Sequence, residues 1–92
     1  MNLRVAGNIL KQRRTKQGLT LKDVSDKTGF TIGHISLIER GEMKNPSFNA
    51  MLAICDALDL SFYRLVADVE LIDRELPKKK QKASLSLLTA AT

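Results

Sequence analysis

Apolar residues along the first 65 positions recur at three- and four-residue intervals, with no strand-like alternation of any length. The chain therefore reads as a series of short helices. The first is predicted over residues 3–17, with Ala6, Ile9, Leu10 and Arg14 sharing much of one face and Gly18 at the position where a left-handed residue ends a helix. Thr20 is a good N-cap, and Asp23 three residues on completes a shape like a capping box. A second helix follows from Leu21 to about Thr28, facing inward through Leu21, Val24 and Ser25, and Gly29 ends it. Thr31 caps a third helix over residues 32–40, with Ile35 and Ile38 turned inward, and Gly41 stops it. The segment GEMKNP is a loop closed by Pro46. Ser47 caps a fourth helix, in which Phe48, Met51, Leu52, Cys55 and Leu58 follow helical spacing, and Ser61 caps a fifth that begins FYRLV; Phe48, Phe62 and Tyr63 read as packing positions. The expected fold is all-α: a compact five-helix bundle with tight turns and a C-terminal tail.

The boundary of the compact body is placed near Ala67, which gives a domain over residues 1–67 and a tail over residues 68–92. Two readings of DVELIDREL stay open. It continues as a helix with a narrow seam of Leu65, Val69, Ile72 and Leu76, as in a two-helix contact, or DVELI forms a short strand. After Pro77 come a basic spacer, KKKQK, and a weakly apolar end, ASLSLLTAAT. Ends of this kind are often disordered unless docked onto something, and the tail is a candidate dimerisation segment.

Charge narrows the class of partner. The 92 residues carry a net charge of +5. Before Thr20 stand Arg4, Lys11, Arg13, Arg14 and Lys16 with no acid among them, and KKKQK forms a second basic run. Two basic patches around a nearly balanced body fit a polyanion such as nucleic acid; a solvated basic surface that aids solubility is the competing reading. No run approaches the roughly 18 apolar residues of a membrane span. The N-terminus has no uninterrupted apolar core, so it does not read as a signal peptide, and a cytoplasmic protein is expected. One histidine, one cysteine and scattered carboxylates offer no catalytic triad and no metal set, so neither an enzyme nor a cofactor is expected. Cys55, among Met51, Leu52 and Leu58, reads as inert core.

The second and third helices carry the informative constellation. Ser25 is small where the other helix passes over it, Gly29 permits a turn with positive φ, and Ile35 and Ile38 plug the third helix inward. Here the text GLTLKDVSDKTGFTIGHISLIERGEMKNPSFNAMLAICDALDLS resembles the helix-turn-helix domains of the phage-repressor type, called Cro-like, lambda-repressor-like or XRE. The LT start, the turn glycine, the IERG ending, the NPS loop and the ALDLS ending all fall in register, and the likeness covers residues 3–67.

The resemblance implies a regulator of transcription, expected to be a repressor, that binds double-stranded DNA as a homodimer on a palindromic site. Its third helix would enter the major groove, and the N-termini of the second and fourth helices would face phosphates. Free N–H groups and the positive dipole end suit that role. Carried over residue by residue, Thr20, Leu21, Arg40, Lys44, Asn45 and Ser47 meet phosphates, and Arg14 pairs with Glu39 as a structural ion pair. The reading face is Thr31, Ile32, Gly33, His34, Ser36 and Leu37. It departs from relatives that carry polar residues at the start of the third helix and a Gln later on its outer face. Ile32 and Leu37 can press on thymine methyls, or they form part of a protein interface; His34 either donates to DNA or is a surface histidine. A protein-interaction module, such as an antitoxin whose tail wraps a partner, is the alternative from another class.

Overall fold

The computed structural model describes residues 1–75, and these form five helices: α1 (Leu3–Lys16), α2 (Leu21–Thr28), α3 (Ile32–Glu39), α4 (Phe48–Ala57) and α5 (Phe62–Glu75). The basic run KKKQK and the end ASLSLLTAAT, with the expectations attached to them, lie outside the described residues. Each start has a local chemical cause. Side-chain oxygens of Asn2, Thr20, Thr31 and Ser47 accept first-turn N–H groups of α1 to α4, and Ser61 Oγ accepts from Arg64 N at 3.4 Å at the head of α5. The capping box of α2 is complete: Asp23 N donates to Thr20 Oγ1 at 3.0 Å and Thr20 N to Asp23 Oδ2 at 2.8 Å. That backbone donation, with the Thr20 hydroxyl second, holds the Asp23 carboxyl below the usual aspartate range.

Helix α1 packs on α3 and α5, and α2 packs on α3 and α4. The core is Ala6, Leu10, Val24, Ile35, Ile38, Ala50, Met51, Ile54, Cys55, Leu58, Leu60, Leu65 and Val69. Cys55 is fully buried; desolvation, with Asp56 adding to it, pushes its thiol up to about 11. It is core, as its neighbours imply.

Of the two readings of the segment after Ala67, helix holds through Glu75. Leu65 and Val69 are fully buried, so the first half of the expected narrow seam is a core stripe, and Ile72 stands 41% exposed beyond it. Asn2 Nδ2 donates to Asp73 Oδ1 at 2.9 Å and joins the start of α1 to the last turn of α5. Two aromatic expectations need correction. Phe48 is 60% exposed and Tyr63 86%, so neither is a core residue; Phe48 sits at the first turn of α4, above the packed layer, edge-on to Phe62 at 5.1 Å. No helix among the described residues is long and apolar enough to cross a membrane.

Candidate nucleic-acid interface

The pose of α3 is set from two sides. On the α2 side, Gly29 takes φ 83° and its N–H donates to Ser25 O at 2.8 Å, closing the helix in the left-handed region that a Cβ disfavours. Ser25 does more than stay small: its hydroxyl donates to Phe30 O at 2.5 Å and fixes the chain as it enters α3. On the α1 side, Gly7 abuts the end of α3. A Cβ there would lie 2.4 Å from the carbonyl oxygens of both Ile38 and Glu39. Neither contact is a movable side chain, so α1 and α3 meet backbone to side-chain-free backbone.

Charge locks the same junction. Arg14 Nε donates to Glu39 Oε2 at 2.7 Å and Nη2 to Oε1 at 3.1 Å, a two-pronged pair with both residues buried. Arg14 Nη1 also donates to Leu19 O at 2.8 Å and thereby holds the α1–α2 turn. Among the described residues no buried side-chain N or O lacks a partner. The pairing expected from resemblance is present in the geometry.

What faces outward is the mixed surface seen in the sequence. Thr31, Ile32 and Gly33 are exposed, Ile32 to 45%, and nothing lies within 4 Å of the Cβ position of Gly33. The outer side of the first turn of α3 is therefore bare, and another molecule can approach its backbone closely. Thr31 Oγ1 accepts from His34 N at 3.1 Å and remains able to donate its hydroxyl proton. His34, Ser36 and Leu37 are half-buried. The imidazole of His34 lies 5.1 Å from the Phe30 ring at 64°, an edge contact that fixes its plane. Arg40 Nη1 donates to Ser36 Oγ, and Arg40 Nε pairs with Glu42 Oε1 at 3.2 Å. Ser36 is thus engaged by Arg40 rather than presented alone.

The candidate phosphate set divides in two. Lys44, Asn45 and Ser47 are exposed in the loop and cap before α4, and Thr20 is exposed at the cap of α2. Leu21 turns its side chain against the core, so only its backbone N–H is left for an anion. Sequence reasoning missed Glu42, which steers Arg40, and Arg13. Arg13 looked like free charge, yet its Nε donates to Leu58 O at 3.3 Å and its Nη2 to Asp59 O at 2.8 Å, joined by Gln17 Nε2 to Leu58 O at 2.7 Å. Both side chains satisfy carbonyls at the end of α4.

Residues 10–65 match a family described as helix-turn-helix. The chain is 42% identical over 64 residues to "Transcriptional regulator ClgR" of Mycobacterium tuberculosis, covering 70% of this chain and 56% of that protein. It is 32% identical over 60 residues to "HTH-type transcriptional regulator SinR" of Bacillus subtilis, covering 65% of this chain and 54% of that protein. The chain thus spans about half the length of the curated relatives it matches.

Proposed function

The chain belongs to the XRE-type helix-turn-helix family, and from that premise we propose that it is a sequence-specific, double-stranded-DNA-binding regulator of transcription, a repressor that acts as a homodimer on a palindromic site. The observation that carries the proposal is the outer face of α3. It is rigidly posed by Gly7, Gly29 and the Arg14–Glu39 pair, yet its first turn is open. Rigid support behind and free surface in front are what insertion into a major groove needs.

The contacts sort by chemistry. Thr31 offers a hydroxyl to a base edge, His34 a ring nitrogen, and Ile32 and Leu37 apolar contact for thymine methyls. Gly33 lets the α3 backbone come close to the groove floor. Lys44, Asn45, Arg40 and the N–H groups behind Thr20 and Ser47 bind phosphates and set register. With few polar contacts to bases, much of the selectivity falls to the shape and deformability of the site.

Selection from random duplex DNA tests this reading. The expected winner is an inverted repeat with half-site centres about 10 base pairs apart, bound less tightly as salt rises. Recovery of no preferred sequence at any salt would sink the proposal; a single unpaired half-site would sink the homodimer.

A further inference from the structure

The basic residues of α1 fall into two groups by what they contact. Arg13 and Arg14 are spent on Leu58, Asp59, Leu19 and Glu39 within the fold. Arg4, Lys11 and Lys16 are exposed and form no ion pair among the described residues. Nor is there an acid nearby in sequence to neutralise them. Each acid of residues 1–49 is engaged: Asp23 by Thr20, Asp26 by Lys22, Glu39 by Arg14 and Glu42 by Arg40. The other acids of the chain, Asp56, Asp59, Asp68, Glu70, Asp73 and Glu75, all lie from the latter part of α4 through α5. No acid of residues 1–49 is thus left to pair with Arg4, Lys11 or Lys16.

Position separates the three free cations. Arg4 and Lys11 are seven residues apart, so they lie within about 20° of each other around α1 and about 10 Å apart along it. Both flank Gly7, at about 40–60° around the helix, and Gly7 is the residue pressed onto the Ile38 and Glu39 carbonyls. Arg4 is nearer still to the loop after α3: a Cβ on Gly41 would sit 2.6 Å from the Arg4 Cα. Gly41 directly follows Arg40 and leads into Lys44 and Asn45. Lys16 points elsewhere, about 120–140° around the helix from the other two.

We infer that Arg4 and Lys11 extend the DNA interface onto α1, as a flanking phosphate track continuous with Arg40 and Lys44 through the Gly41 junction. The inference rests on the DNA-binding reading and deepens it. Phosphate contacts add affinity without sequence information, so the track lengthens the footprint and leaves the preferred sequence alone.

The test is the salt dependence of binding to the duplex recovered by selection, measured by fluorescence anisotropy on the full chain. Each phosphate contact contributes about 0.9 to the slope of log K against log salt. The double variant R4Q/K11Q is expected to lower that slope by about 3–4 for a homodimer, to select the same sequence, and to retain wild-type helicity by circular dichroism. K16Q is expected to leave the slope unchanged, and R4K/K11R to restore it. An unchanged slope in a folded R4Q/K11Q protein overturns the inference while the DNA-binding reading stands. An equal fall in K16Q overturns it as well, because general charge then explains the effect. Failure of the wild-type chain to bind any duplex overturns both.

Discussion

Replacing Arg14 with Met is expected to cost about 3–5 kcal/mol of stability, the loss typical of removing one partner from a buried ion pair. The substitution keeps the length and apolar stem of the side chain, so packing is nearly conserved. What changes is Glu39, which stays buried and loses both of its guanidinium contacts, of 2.7 and 3.1 Å. Leu19 O loses its donor too. In a domain this small a loss of that size approaches the whole folding free energy. Urea unfolding followed by circular dichroism reads it directly. The companion variant R14M/E39L is expected to recover most of the loss, since an apolar pair of similar volume leaves no charge buried alone. A loss under about 1 kcal/mol in Arg14→Met would mean that the pair is solvated and that α3 is held by packing alone.

Gly7→Ala is the second large effect, and its sign is informative. On helix propensity alone, alanine is favoured over glycine by about 1 kcal/mol. At this position the added methyl meets two backbone carbonyl oxygens at 2.4 Å, and neither can move without shifting α3. Overpacking of a tight contact costs about 1–3 kcal/mol, and here the cost is borne by backbone. Net destabilisation is expected, larger again for Gly7→Val, with a fall in DNA affinity as the pose of α3 relaxes. A stabilised Gly7→Ala protein would show that α1 and α3 do not meet as closely as described.

These two residues mark what was and was not legible in the sequence. Helix starts were legible because Thr20, Thr31, Ser47 and Ser61 do their capping locally, within three residues, and the side-chain type alone announces it. The pose of α3 was half legible: Gly29 and Ile35 have local signatures. Gly7 was not legible, because its contact with residues 38 and 39 is purely tertiary. Arg13 was illegible as a structural residue because its partners lie 45 and 46 positions away and are carbonyls, which carry no side-chain signal. The exposure of Phe48 and Tyr63 was illegible for a related reason. Helical spacing tells which residues share a stripe, and the stripe reaches past the layer that covers it.

For the candidate site, the sequence located α3 and the exposed Thr31, Ile32 and Gly33, whereas His34, Ser36 and Leu37 are half-buried. It did not reveal that Ser36 is engaged by Arg40, that Arg40 is shared with Glu42, or that His34 rests on Phe30. Those contacts leave Thr31, Ile32, Gly33 and Leu37 as the surface with fewest internal commitments. Leu37 is the sharpest probe among them, because a change there alters the outer face without touching the Arg14–Glu39 lock.

The most direct measurement is therefore selection from random duplex DNA with the wild-type chain, His34→Ala and Leu37→Gln side by side. If α3 reads DNA as proposed, Leu37→Gln gains a preference for adenine at one symmetric pair of positions, since Gln can bond to adenine in two places. The expected discrimination there is about 5–150-fold, from roughly 1–3 kcal/mol per good base contact, and His34→Ala relaxes a different position. The same selected sequence from all three proteins would contradict the account, because the outer face of α3 would then not be what meets the bases.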